Sequence, residues 1–405
     1  MKRITVVGFL VVIMALPAWS AAEVESVAGN ITLHGHIDFV YRNSEADEKI
    51  KKDGPNQEWN GYDTMNLETA ILGMSGTVGD NVSWLVSYAF AFRGPAAAAD
   101  SEAVTDDTNN NSAGALLDAQ INIRVADMME LSFGRFIPPT SMTWAPHQMS
   151  AFHTVNYPLI HGSGIAPGQY AHIDMLTLPR YQTGVMLSAS MGPAKIMLGG
   201  FNGSEYVGGD ETDIGDAEAY GLDNTMDIDR NKGLLAKVAV DQEGMHFGGW
   251  YYAEDAAIEP EHLDGYIDTR PADGNLVQWG IEAAYNANNL LVAVEYLQST
   301  FDAEDSAVDD NLVQSGWYFL AGYTMNRFQV VARYDYVNYD MEEMLLDDRH
   351  DVSSSDYNEE SAITAGVNYL LNEQTTVGLN YTWRDLENYE PAADELAVIV
   401  EVDLF

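Results

Sequence analysis

The feature that most constrains this chain is a period-two alternation carried in short segments along almost its whole length. Val82, Trp84, Val86, Tyr88, Phe90 and Phe92 share one parity, and the other is mostly Ser and Ala. Val377, Leu379, Tyr381 and Trp383 alternate with Gly378, Asn380, Thr382 and Arg384. Val277, Trp279, Ile281 and Tyr285 alternate with Gln278, Gly280, Glu282 and Asn286. Side chains along a strand point to opposite faces in turn, so each segment reads as a strand with one apolar face and one small or polar face.

Sixteen such segments are legible, near 30–42, 65–76, 81–93, 115–126, 129–136, 181–190, 194–202, 232–241, 244–253, 276–286, 289–300, 312–324, 327–337, 360–370, 374–385 and 394–405. Most run about 9–12 residues, the length a tilted strand needs to cross a bilayer. The connections alternate in length. Short ones such as Gly79-Asp80-Asn81, Met191-Gly192-Pro193, Asn286 to Asn289 and Asn372-Glu373 carry turn residues. Long ones fall at 43–64, 94–114, 137–180, 203–231, 254–275, 301–311, 338–359 and 386–393. Short turns on one side and long loops on the other predict an all-β fold, a 16-stranded antiparallel transmembrane β-barrel with short periplasmic turns and long extracellular loops. A soluble sandwich would show the same alternation with the apolar face turned inward. Three features favour the barrel: Trp and Tyr near strand ends, isolated charges on the polar parity, and a chain ending on Phe405 directly after a strand.

The N-terminus fits this setting. Lys2 and Arg3 precede an apolar run, followed by Pro17 and Ala18-Trp19-Ser20-Ala21-Ala22. That is a signal peptide over residues 1–22, leaving 23–405 as a single barrel domain. There is no cysteine, so disulfides and thiolate chemistry are excluded. Without Lys2 and Arg3 the formal net charge moves from −43 to −45, which argues against nucleic-acid partners. The acids concentrate in long loops, nine of them between Gly203 and Asn231. Clustered loop carboxylates would raise the local cation concentration. Asp227 to Gly233 departs from a calcium loop, with Lys232 and Val238 where Gly and Glu are required.

The whole pattern resembles the Gram-negative outer-membrane porins, most of all the group of the phosphate-selective porins. The local motifs are Phe133-Gly-Arg-Phe-Ile-Pro138, Gly199-Gly-Phe-Asn-Gly203 and the terminal Phe405. The resemblance implies a passive channel for small ions and hydrophilic solutes in the outer membrane of a Gram-negative cell, lipid around the barrel, a homotrimer, and recognition of Phe405 by the barrel-assembly machinery. Phosphate selectivity is not carried over, because the chain has only seven Lys and no lysine-lined route. One departure concerns the last strand. Asp403 and Glu401 stand where the family's terminal signature is hydrophobic, which suggests a strand shifted by one or a bulge resetting its phase.

The third long loop is exceptional. From Pro138 to Pro179 it has one acid, Asp174, no Lys or Arg, six prolines and many aromatics. A loop packed inside a barrel should be apolar and stiffened by proline, and the family folds its third loop into the pore; residues 137–180 are therefore the expected constriction loop. Its four histidines, His147, His153, His161 and His172, lack the spacing and carboxylates of a metal site, so neither metal nor cofactor is expected. Strand parity and loop position give the expected pore-lining set: Arg124, Arg135, His147, His153, His161, Asp174, Arg180, Glu282, Glu295, Arg333, Asp335 and Arg384. Parity also turns His34, His36, Asp38, Glu68, Asp118 and Glu401 inward. The expected channel is cation-preferring. The rival is a structural barrel sheathing an exported or electron-transfer partner. No Ser/His pair sits at a recognisable catalytic spacing, so an enzyme is not expected.

Overall fold

The computed structural model describes residues 23–26, 29–45, 63–92, 115–142, 153–155, 158–161, 181–202, 232–258, 272–303, 312–338, 359–386 and 394–404. A short strand, β1 (Glu23–Ser26), precedes sixteen long ones: β2 (Gly29–Glu45), β3 (Asp63–Val78), β4 (Val82–Phe92), β5 (Ala115–Ala126), β6 (Met129–Phe136), β7 (Gln182–Met191), β8 (Ala194–Phe201), β9 (Gly233–Gln242), β10 (Met245–Ile258), β11 (Ala272–Ala287), β12 (Leu290–Ala303), β13 (Leu312–Met325), β14 (Phe328–Asn338), β15 (Glu359–Asn372), β16 (Thr375–Leu386) and β17 (Asp394–Leu404). Each strand from β2 onward pairs antiparallel with the next. The ring closes where β17 meets β2, from Asp394 opposite Glu45 to Leu404 opposite Gly35. The strands β2–β17 are thus a closed 16-stranded antiparallel barrel, and β1 folds back on the start of β2. Closure leaves none of the sixteen strands with an unpaired edge, the condition for sheet in a bilayer.

Alternation becomes two surfaces. Val86, Tyr88 and Phe90 of β4, Ile281 of β11, Val294 of β12, Ile363 and Val367 of β15, and Leu379 and Trp383 of β16 are exposed large apolar side chains on the outer wall. Their neighbours in sequence, among them Ser87, Glu282, Glu295, Thr364, Asn380 and Thr382, are buried and point inward. In a membrane protein an exposed apolar belt is the lipid contact.

Apart from Glu243 at 49°, the short turns place left-handed backbone mainly on Gly and Asn. Gly79, Gly192 and Gly244 have φ of 62°, 61° and 81°, and Asn288 and Asn289 have 54° and 67°. Register shifts cluster early, between Asp38/Phe39, Ala70/Ile71, Val86/Tyr88 and Arg124/Ala126. At the third of these, Ser87 faces the doubled pair Leu117 and Asp118, and both of those are buried.

Two details refine the expectation. β17 shows no register shift against either neighbour. It is not bulged: Glu401 is buried inward and Asp403 follows it on the same parity, both meeting His36 of β2, so the apolar parity of the strand stands one residue off the terminal signature. The inner face is also less polar than its alternation suggested. Leu235, Trp250, Tyr252, Leu291, Leu297, Tyr318, Leu320 and Val337 are buried there in one cluster with Phe136 and Phe201. Apolar groups on a lumen wall need a cover, and part of that cover is the chain itself.

Candidate functional site

After β6 the chain turns inside the barrel. The entry is fixed by Gly134, whose φ is 115° and where a Cβ would meet the Ala119 carbonyl oxygen at 2.0 Å. Only glycine fits that approach. Phe136 then enters the inner cluster, stacking edge-on with Phe201 at 5.6 Å between ring centroids. Arg135 donates from Nε to the Leu116 carbonyl at 3.0 Å and lies over the Tyr181 ring.

The described loop residues touch walls on opposite sides. Lys237 of β9 reaches the Ser141 carbonyl at 3.4 Å. On the far side Val155 packs with Val40 of β2 and with Ala397 and Ile399 of β17. Its N–H donates to Asn380 of β16 at 2.7 Å. The described residues on either side of 143–152 thus meet inner-wall residues of β9 and of β2. A 3-10 turn, Leu159–His161, follows Val155 and packs on β13 and β14. Ile160 is fully buried, and a Cβ on Gly316 of β13 would come 2.6 Å from its Cγ2. The missing side chain at Gly316 makes the room that Ile160 fills. Burying Leu159 and Ile160 is worth about 1.5–3 kcal/mol each.

Charge organises the same contact. Glu282 of β11 and Glu295 of β12 are directly opposite in register and both buried, an arrangement that destabilises a sheet unless each acid is answered. The wall answers Glu282: Lys237 Nζ lies 2.5 Å and His246 Nε2 2.9 Å from its Oε1. The loop answers Glu295: Ser141 Oγ donates to Oε2 at 2.9 Å, and His161 Nε2 is 3.3 Å from the same oxygen. Further along, Arg333 Nε donates to Asp335 at 2.8 Å and its other end to the Thr154 hydroxyl. Asp335 also accepts from the Leu159 N–H at 3.3 Å. His153, at a left-handed φ of 55°, bonds Gln329 at 3.0 Å, and its carbonyl accepts from Asn368 at 2.9 Å. Burial lowers the His153 pKa below its ordinary value, with the Gln329 bond opposing.

Of the residues selected from sequence, Arg135, His153, His161, Glu282, Glu295, Arg333 and Asp335 gather on or against this loop. They do so as a packed network, with Glu295 and Asp335 at 1% and 0% exposure, rather than as free groups along water. Arg124 differs: it is exposed at the short-turn rim, in register with Glu130, because its strand is there one turn from its end. Arg384 lies two residues from the end of β16, in register with Ala362. His147, Asp174 and Arg180 lie outside the described residues, as do the acid-rich stretch 203–231 and Phe405.

Sequence spacing missed the meeting of Ser141, His161 and Glu295, since nothing in it joins position 295 to the loop. These three residue types can form a nucleophilic relay, but here Ser141 and Glu295 both meet the same imidazole nitrogen. A relay needs the carboxylate on the opposite ring nitrogen. With His161 fully buried, the trio acts as an anchor.

The comparisons agree with this architecture. The sequence profile of the Gram-negative porins matches residues 10–389. No curated protein matches the chain in sequence. Among solved structures it is similar to an anion-selective porin from Comamonas acidovorans, at 13% identity and a TM-score of 0.59, covering 92% of this chain and 98% of that one. It is similar to Salmonella typhi OmpF in complex with daunomycin, at 13% identity and a TM-score of 0.58, covering 94% and 100%. It is also similar to the outer membrane channel DcaP of Acinetobacter baumannii, at 13% identity and a TM-score of 0.56, covering 94% and 99%. At such identities these likenesses speak for the fold, and the profile, spanning most of the sequence, speaks for the family. The chain belongs to the Gram-negative porins and is a channel protein of the outer membrane.

Proposed function

We propose that this porin is a cation-preferring passive diffusion channel for small hydrophilic solutes, narrowed by residues 137–180 and assembled as a homotrimer. The observation that carries the selectivity is the sign of the inner wall. Nine acids are buried among the described residues, Asp38, Asp118, Glu254, Glu282, Glu295, Asp335, Glu360, Glu395 and Glu401, against three buried Lys or Arg, Arg135, Lys237 and Arg333. Low-dielectric walls of one sign focus their field into the cleft between them, so cations are enriched there even where individual acids are paired. The loop contacts across the ring support the narrowing.

The sheath reading fares worse. A sheath needs a lumen free for a partner, whereas the chain's own Val155, Leu159 and Ile160 already fill part of this one.

The test is single-channel recording of the refolded protein in a planar bilayer under a salt gradient. Stable steps with a reversal potential of cation sign are expected. Anion-sign steps would overturn the selectivity, and a folded barrel without conductance would overturn the channel.

A further inference from the structure

At the seam that closes the barrel, two residues along from the Val40–Ile399 pair that Val155 covers, four ionisable side chains converge from its first and last strands. His36 and Asp38 stand two apart on β2, and Glu401 and Asp403 two apart on β17, so all four share the inner parity. His36 Nε2 is 2.8 Å from Asp38 Oδ2, and Nδ1 is 2.8 Å from Asp403 Oδ1 and 4.0 Å from Glu401 Oε1. His36, Asp38 and Glu401 are buried, at 5%, 0% and 4% exposure. One ligand atom from each lies within 4.8 Å of the others. Counted alone, three carboxylates around one imidazole sum to a formal charge of −2 even with the ring protonated, and two of them, Asp38 and Glu401, are buried with it.

We infer that this cluster is a binding site for a single divalent transition-metal ion of the zinc or cobalt type. Imidazole in the donor set favours such an ion over calcium or magnesium, which take oxygen. Ligand bonds of about 2.0–2.2 Å require donor atoms roughly 3.4 Å apart, within reach of the present spacings after sub-ångström shifts. Whichever ring nitrogen takes the ion, the other keeps a carboxylate acceptor, Asp38 on Nε2 or Asp403 on Nδ1, the outer contact that orients a ligating histidine. Binding releases the displaced ring proton to water and reduces the formal charge of the group from −2 to −1. Asp403, whose side chain is half exposed, is the way in. Because its ligands come from both β2 and β17, the ion staples the two ends of the barrel together.

The experiment uses the refolded full-length barrel in detergent, stripped with a chelator and held in excess magnesium to saturate the loop carboxylates. Cobalt(II) is titrated while its visible d–d bands are followed, and zinc is added in thermal unfolding. Expected are intense bands of low-coordinate cobalt saturating at one equivalent and a rise in melting temperature with zinc. In His36→Gln and Glu401→Gln both should weaken about tenfold or more. Asp403→Asn, at the half-exposed position, serves as the variant least able to disturb folding and should weaken binding by a smaller factor. Only the weak bands of aquo cobalt in the wild-type barrel, or bands and melting shift surviving in folded His36→Gln, would overturn the site.

Discussion

Replacing His161 by Phe should release the loop without removing its bulk. Phenylalanine keeps a ring edge-on to Tyr318, now 6.2 Å away between centroids, but deletes the Nε2 that lies 3.3 Å from Glu295. Both partners are essentially unexposed, at 0% and 1%, so solvent does not soften the loss. A hydrogen bond to a charged group is worth about 1.5–3 kcal/mol, and stripping one partner from a buried pair costs about 3–5 kcal/mol. Ser141 still donates at 2.9 Å, which moves the expectation to the lower end, about 3 kcal/mol. Glu295→Gln should cost less, about 1 kcal/mol, because it removes the acid facing Glu282 while keeping an acceptor. In the double variant the stranded charge no longer exists, so the two costs should fall short of adding by about 1–2 kcal/mol. Denaturant unfolding in lipid vesicles measures this cycle. Bilayer recording of the same proteins should show larger or noisier steps in His161→Phe. Strict additivity, with His161→Phe no worse than Glu295→Gln, would refute the view that the loop is held by the charge it answers.

Other substitutions probe the anchor from different sides. Gly134→Ala pushes a Cβ onto the Ala119 oxygen and strains a φ of 115°, so it should cost about 1–3 kcal/mol in unfolding free energy and lower refolding yield. Gly316→Ala puts a Cβ 2.6 Å from Ile160 Cγ2 and 2.8 Å from the Tyr336 carbonyl oxygen, so single-channel conductance should rise and unfolding free energy should fall by about 1–3 kcal/mol as the turn and the β13–β14 pairing give way locally. His153 is buried with its pKa lowered, so a released or unfolded loop binds the proton more readily than the docked one. Docking is then fully supported above the ordinary pKa of about 6.5 and weakens as pH falls below it. Gating that increases between pH 7 and 5 in wild type should be reduced in His153→Gln, and an unchanged profile would assign the effect to another group.

The barrel was legible because period-two alternation is a local signal, and each strand states its own faces. The sixteen segments and their short turns survive in the structure to within a few residues, as at Asn286–Asn289, where two asparagines adopt the left-handed backbone. The compositional oddity of 138–179 was legible too, and the described part of that loop lies against the inner wall. Less was legible where contacts join distant strands. Nothing near Glu295 announces Ser141 and His161, because their separation is bridged by closure of a ring. The inner apolar cluster was hidden for a related reason: Leu291, Leu297 and Leu320 belong to strands whose outer faces are apolar as well, and alternation cannot assign a side when both sides are greasy.

The seam is the exception that closure itself makes readable. In a ring of known strand number the first and last strands must be neighbours, so inward acids on one can be matched to inward groups on the other before any coordinates exist. The pair Glu401 and Asp403, out of place in a terminal strand that should end on apolar residues, is explained by His36 across that seam. The same logic explains why the phase of β17 is not reset. A bulge would have turned Glu401 or Asp403 toward lipid and given up its contact with His36. The strand therefore keeps its register, and its two acids stay on the inside, where their partner is.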